Sequence, residues 1–259
     1  MELRDALAPV AWGGSGETES TWVTALATIS SGLTAQSRVC ADGGFYNTPS
    51  PFPGVNGGTF SYRRPLAWSH AVRRTQIGLA TRASAVIDGA YSTIVVNPGS
   101  DPQDGFIYHD ERVNPGLNAA RIGSAQTWPK QGAGFYQCQE PLLSPLTSQF
   151  TELVIGNLVD SASDICYATG VQIVNSQLLV QPNGTLDPTF RNNLQAKIQA
   201  ALQQGLVAVQ PGIASAVTAT ISASYNVLAN SNVPIAVTAT PYGYATAVSF
   251  VINLNTAGI

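Results

Sequence analysis

The side chains with the richest potential chemistry in this chain are a histidine and its neighbours, His109-Asp110-Glu111-Arg112. A carboxylate beside an imidazole raises the imidazole pKa and orients the ring, which is what an acid/base site requires. His109 with Asp104 or Asp110 would then be the working pair of an α/β hydrolase-like enzyme. Consecutive loop residues point in different directions, however, so the cluster reads first as a solvated salt-bridge loop. The other histidine, in His70-Ala71-Val72-Arg73, reads as the polar face of a helix. No residue is assigned a catalytic role. Cys40, Cys138 and Cys166 and the two histidines lack the C-x2-C or H-x3-H spacing of a metal site. Asp101, Asp104 and Asp110 lack the twelve-residue loop closed by glutamate that holds calcium. Gly13-Gly14-Ser15-Gly16 precedes a helix and has the form of an anion cradle. Without the Lys-Ser/Thr of a phosphate loop it reads as a lead-in turn capped by Ser15 or Thr18. A Gly-x-Ser-x-Gly elbow is also missing. Asn183-Gly184-Thr185 fits the glycosylation pattern but reads as a turn. Neither a metal nor a cofactor is expected.

The composition points the same way. Charged residues make up 10% of 259, and only Lys130 and Lys197 are lysines. Lysine and glutamate keep monomers soluble and are depleted where protein meets protein, so much of this surface is expected to lie in contacts. A net charge of −3, with no basic run longer than Arg63-Arg64 or Arg73-Arg74, argues against a nucleic-acid partner. No uninterrupted apolar stretch is long enough for a membrane span, and Met1-Glu2-Leu3-Arg4-Asp5 lacks the order of a signal peptide. Three widely spaced cysteines fit reduced thiols in a cytosol.

The elements that would position these residues are read from periodicity. Helices are expected over 17–33, Trp68–Ala90 and Thr147–Ala168, the last capped by Ser148 and stopped by Gly170. Another helix runs from Asp187 as N-cap and Pro188 at its first position to a stop at Gly205, with Phe190, Leu194, Ile198, Ala201 and Leu202 in one stripe. Short strands are expected at Arg38–Ala41, Ser92–Asn97, Phe135–Gln137 and Gln177–Gln181, and Gly43–Pro65 reads as a long loop or irregular hairpin. Gly116–Ile122 reads as one or two helical turns. From Ala216 to Tyr225 apolar and hydroxyl residues alternate with period two, as they do at Ile235, Val237 and Ala239. After Pro241-Tyr242-Gly243-Tyr244, a third run places Val248, Phe250, Ile252 and Leu254 on one face, a strand that must pair with a sheet or remain a sticky edge. The expected class is α/β (α+β), a mixed sheet flanked by helices, with C-terminal strands available for inter-subunit strand addition. A partial α/β domain over 1–105 and a second domain over 106–259, ending in an arm from about residue 234, are expected, with the boundary in the turn-rich stretch Pro98–Pro115.

The order of elements from Asp110 onward resembles the C-terminal region of contractile tail sheath proteins of phages and related injection systems. The residues carrying the resemblance are Asp110-Glu111-Arg112, Asn118-Ala119-Ala120-Arg121-Ile122, Gly134-Phe135-Tyr136 and Ser148-Gln149-Phe150. Asn183-Gly184-Thr185 with the helix to Gly205, and Pro241-Tyr242-Gly243-Tyr244-Ala245, complete it. The likeness covers roughly 150 residues and rests on order and turn chemistry. It implies a virion-tail subunit without covalent chemistry, self-associating into hexameric rings and a helical tube around an inner tail tube protein. Baseplate and tail terminator proteins would be its further partners. It also implies that Thr246–Leu254 is the C-terminal arm, which adds a strand to a neighbour's sheet, or that arm's hairpin partner, and that Arg191 and Lys197 face acidic tube residues. Sheath proteins carry an N-terminal arm and a fuller first domain, so a chain that opens at Met1-Glu2-Leu3-Arg4 is expected to be shortened or to take its arm from elsewhere. Another virion component (tube, baseplate or capsid decoration) is the alternative within this class.

Overall fold

The computed structural model describes residues 2–4, 19–34, 39–49, 61–92, 94, 109–128, 134–209 and 212–244. The class is α+β, with helices and two-stranded sheets. Helix α1 (Glu19–Ser31) carries Trp22, Val23 and Leu26 at helical spacing and buries them against Leu117, Ala120 and Ile122. Those three partners lie on a compact turn in which the Ala120 N–H donates to the Gly116 carbonyl and the Ile122 N–H to that of Leu117. Strand β1 (Glu2–Arg4) runs parallel to β2 (Val39–Ala41). The glycine- and proline-rich stretch does form a hairpin, β3 (Phe45–Pro49) antiparallel to β4 (Ser61–Pro65). Strand β5 (Ser124–Thr127) pairs with β6 (Phe135–Gln139) through a bulge at Ser124/Ala125. Tyr46 meets Phe135 edge-on at 5.0 Å, in a cluster with Leu66, Tyr91, Ile94 and Ala125. Of the strand expected at Ser92–Asn97, the described part is not a strand: Ser92 lies in a turn closed by the bond from Ile94 N–H to the Tyr91 carbonyl, and Ile94 is buried in this cluster, while residues 93 and 95–97 lie outside the described set.

Three helix boundaries differ from expectation. Helix α2 (Leu66–Gln76) is shorter than Trp68–Ala90. Arg74 donates to the Thr81 carbonyl, and Arg73 to those of Asp88, Gly89 and Ala90, so the chain beyond Gln76 folds into turns bonded to the helix's own arginines. Helix α3 (Leu153–Gly170) starts six residues after Thr147. Ser148 does not cap it. The Ser148 hydroxyl accepts from Phe150 N–H in a local turn, and Leu153 N–H bonds Glu140 O, which holds the approach extended. Phe150 packs on Cys40, Leu142 and Leu153. The α-helix does end at Gly170, but without a left-handed glycine turn: Gly170 stays right-handed, and the chain passes through a 3-10 turn (Val171–Ile173) before reversing at Asn175, which is left-handed at φ 59.

The C-terminal layer follows the expected punctuation more closely. Asp187 caps α4 (Pro188–Leu202) by accepting from Thr189 and Phe190 N–H, with Pro188 in the first turn. The preceding turn turns at Gly184, whose φ of +81 suits glycine and whose missing side chain leaves room for the Asn226 amide. Gln177–Gln181 contributes only a single bridge, Val180 to Leu186. Gly205 lies inside a π-turn (Gln203–Val207), where a Cβ would collide with Ile165 of α3, so it serves close helix approach and not termination. Leu194, Ile198, Leu202 and Leu206 form the core with Val217, Ala219 and Ile221 of β7 (Ala214–Ile221), which pairs antiparallel with β8 (Ile235–Pro241). Between them sits a single turn, α5 (Val227–Asn230), capped by Asn226. The period-two alternation is realised up to Ile221, with Thr218 and Thr220 outward; Ala223 and Tyr225 fall beyond the strand.

Arg121 ties the segment ahead of α3. Its buried guanidinium donates to Ser144 Oγ at 2.6 Å and to the carbonyls of Leu146, Ser148 and Phe150 at 2.8 to 2.9 Å. Removing it takes hydrogen bonds from the buried Ser144 hydroxyl and from three part-buried carbonyls, at about 1–3 kcal/mol for each group left unsatisfied before relaxation. Arg121→Ala is expected to lower unfolding free energy by about 3 kcal/mol or more in denaturant titration, and Arg121→Lys to recover part of it, because an ammonium cannot reproduce the fork.

Candidate interaction surface

Both histidines are interior, against expectation. His70 is fully buried, with Nδ1 2.8 Å from Asp42 Oδ2 and Nε2 2.8 Å from Glu140 Oε1. It is not part of a polar helix face. Two carboxylates can both accept from one ring only if it is imidazolium. Burial by itself would lower the pKa, but Asp42 and Glu140 outweigh it and raise it to about 10. Glu140 also accepts from Ala83 N–H and stands 3.7 Å from Arg74, while Gln137 donates to Asp42. His109 is likewise buried, between Glu19 at 2.9 Å and Glu111 at 3.0 Å, with Trp22 5.4 Å away. The solvated loop is therefore an internal ion cluster. Burial opposes the His109 charge, and its bonds to Glu111 and Glu19 raise its pKa nonetheless. Asp110 turns away to Thr127 and the Arg112 N–H, so the Asp110–His109 pair is not assembled. Asp101 and Asp104 lie outside the described residues. The three cysteines are free, and burial pushes the Cys40 thiol well above its usual range. Among the described residues no group of three or more His, Cys, Asp or Glu is disposed to hold a metal ion, and no described helix is long and apolar enough to cross a membrane.

The surface with chemical consequence is the β7–β8 sheet. The outer edge of β7 is closed by α4. Gln199 donates to the Val217 carbonyl and accepts from Ala219 N–H, both at 2.7 Å, and Gln195 accepts from Ile221 N–H at 3.1 Å. Two glutamine amides thus stand where a neighbouring strand's peptide groups would. In an antiparallel ladder a residue whose N–H and C=O face away from its partner forms a non-hydrogen-bonded pair, and the same holds for the residue opposite. Val217, Ala219 and Ile221 face Ala239, Val237 and Ile235. The N–H and C=O groups of Ile235, Val237 and Ala239 consequently point outward along β8, where no described residue bonds them. Beside that edge runs an apolar groove of about 490 Å³, lined by Phe150, Ile155, Val159 and Ala162 on one wall and Val237 and Ala239 on the other. At its far end Tyr244 donates to the Ala80 carbonyl at 3.0 Å and lies 3.9 Å under the Arg82 guanidinium, which pairs with Glu152. Residues 242–244 are thereby tied to the turn after α2. No charged side chain occurs anywhere from Ile198 to Ile259.

The expected donor strand, Val248, Phe250, Ile252 and Leu254, lies outside the described residues. Arg191 and Lys197 both sit at the surface of α4, about 120° apart around the helix axis at 100° per residue. Arg191 bonds Asn192, and Lys197 donates to Gln172 Oε1 at 2.7 Å. Sequence reasoning missed Gln195 and Gln199, for which the available signal was two glutamines one turn apart beside the inward stripe.

No protein-family profile and no curated protein sequence matches the chain. Solved structures do. One is a chain from the sheath complex of PVC, an extracellular contractile injection system, in its contracted state, with a TM-score of 0.54 and 12% identity over 95% of this chain and 63% of that one. Another is from the sixfold-symmetrised baseplate of the anti-feeding prophage, with a TM-score of 0.48 and 13% identity over 86% of this chain and 56% of that one. With the chain of the sheath complex, what is shared is the fold. The chain spans less than two thirds of the length of either neighbour.

Two outcomes follow from the site geometry. A group whose folded pKa is raised contributes stability in full below its unfolded pKa and loses it as pH climbs through the folded one. His70 should therefore stabilise the protein fully below about pH 6.5, with the contribution withdrawn as pH approaches about 10. His70→Gln is expected to cost about 3–5 kcal/mol near neutrality by stranding buried carboxylates and to flatten the decline of the denaturation midpoint across that window. Gln199→Leu should cost about 1–2 kcal/mol and, by opening the β7 edge, raise light scattering on standing. Gln199→Glu, which keeps the acceptor for Ala219 N–H, should fall between it and the unaltered chain.

Proposed function

We propose that this chain is a structural subunit of a contractile tail sheath, polymerising as stacked rings around an inner tube and acting by a change of packing rather than by covalent chemistry. Residues 246–254 of one copy add as a strand to β8 of the next. The observation that carries this reading is the asymmetry of the β7–β8 sheet: one edge is occupied by glutamine amides, and the other presents three outward peptide groups beside an apolar groove. The alternating Val248, Phe250, Ile252 and Leu254 supply the apolar face that such a groove accepts. The Tyr244 anchor fixes where that segment departs. The likeness of fold to a chain of a contractile sheath complex supports the same reading. Each junction is weak once the ordering of the arm is counted, and repetition around a ring makes the assembly strong. In this arrangement Arg191 and Lys197 on α4 face the inner tube, and baseplate and terminator proteins meet the ends of the polymer.

Val237→Pro tests the edge directly. Its N–H points away from β7, so proline leaves the β7–β8 ladder intact and is expected to change stability by no more than about 2 kcal/mol. Tubes or sixfold rings should appear by negative-stain microscopy for the unaltered chain and vanish for Val237→Pro and for a chain truncated before Thr246, both remaining folded monomers. Tubes from either variant would refute strand donation. Closed rings that never stack would assign the chain to another component of the particle.

A further inference from the structure

The molecule carries a braced apolar knob, which the strand-addition reading does not use, and an uncharged bowl, of which that reading uses only the shared edge residue Ile235. The knob is Ile87, 95% exposed on the 3-10 turn Val86–Asp88. An exposed isoleucine alone means little, but this one sits on a turn braced from within. The buried guanidinium of Arg73 donates to the carbonyls of Asp88, Gly89 and Ala90 at 2.8 to 2.9 Å and lies 5.4 Å over the Tyr91 ring. Three hydrogen bonds from one interior arginine remove the freedom with which a loop tip could fold its apolar side chain away. The turn is held in a shape that presents Ile87 to solvent, which is the preorganisation expected of a contact anchor.

The bowl lies where α3, its 3-10 extension and α5 meet, with a volume of about 670 Å³. Tyr167 (75% exposed), Leu228 (70%) and Val174 (64%) crowd its mouth, with Leu178 and Val233 among the side chains lining it. So many large apolar groups in one patch mark a contact surface, not a scatter of surface residues. None of the lining residues is charged, so an unpaired charge buried there would be penalised and an aliphatic side chain favoured. The rim offers neutral donors in Asn175, Ser231 and Asn232, and the knob carries Asp88, an exposed carboxylate, directly beside Ile87.

We infer that Ile87 of one copy seats in the bowl of a second copy, with Asp88 accepting hydrogen bonds from the amide and hydroxyl rim. Knob and bowl share no residue, so the contact is heterologous and propagates from copy to copy instead of closing as a twofold dimer. Ile235 lines both the bowl and the groove along β8, which makes this contact continuous with the proposed strand-addition edge. The inference rests on the proposal that copies of this chain assemble.

The test uses the full chain with Cys138→Ser and Cys166→Ser and one added cysteine, Ile87→Cys or Val174→Cys, treated with a short bis-maleimide. A covalent dimer should form when the two variants are mixed and in neither alone. A dimer from Ile87→Cys alone, or none from the mixture while the same proteins form rings or tubes, overturns the inference. Ile87→Asp should raise the concentration needed for assembly at least tenfold with an unchanged melting temperature. Normal assembly of Ile87→Asp alongside failure of Val237→Pro would overturn the knob and leave strand donation standing. If the unaltered chain does not assemble and the mixed variants do not cross-link at any concentration, the reading beneath it falls too.

Discussion

The irregular half of this protein is held by charges taken out of water. The His70 imidazolium lies between Asp42, just past β2, and Glu140, just past β6, and so joins a helix to two strand ends that share no regular hydrogen bonding with it. His109 does the same between α1 and the turn leading to β5, through Glu19 and Glu111. Arg73 and Arg121 complete the pattern by donating to loop carbonyls that no sheet would satisfy. Each such group costs desolvation and is retained because its partners are fully matched; half-matched, it would be worse than an apolar substitute.

This use of charge explains the surface. With only 10% charged residues in the chain, a set that includes Asp42, Arg73, Glu111, Arg121 and Glu140 is buried. Little remains to keep the outside polar, and the C-terminal layer has none at all beyond Lys197. Its exposed sheet face is threonine and alanine, its bowl and groove are apolar, and its one protected edge is shielded by amides instead of charges. Among the described residues, amides occupy the β7 edge while the β8 peptide groups face outward, and it is on this asymmetry that directional strand addition is proposed.

Much of the C-terminal layer was legible from sequence because its signals are local. Asp187-Pro188 names the start of α4, and period-two alternation names β7 and β8. The start of α3 was not, since Ser148 has the chemistry of a cap and only the docking of Phe150 against Cys40, Leu142 and Leu153 shows why the helix waits. His70 looked solvated because its partners lie 28 and 70 residues away in the chain. The candidate surface was half legible: the alternation that forms β7 and β8 is visible in the sequence, whereas glutamines on a helix carry no sign that they serve as a surrogate strand.

The neutral stretch after Lys197 has a thermodynamic corollary. Mobile ions act on a contact by screening its charges, and residues 198–259 bring none of their own to the strand addition proposed at β8. Its strength instead follows apolar hydration, which weakens on cooling. An array joined in the proposed way would tolerate brine and loosen in the cold, with temperature, more than the ionic surroundings, setting how firmly its copies would hold.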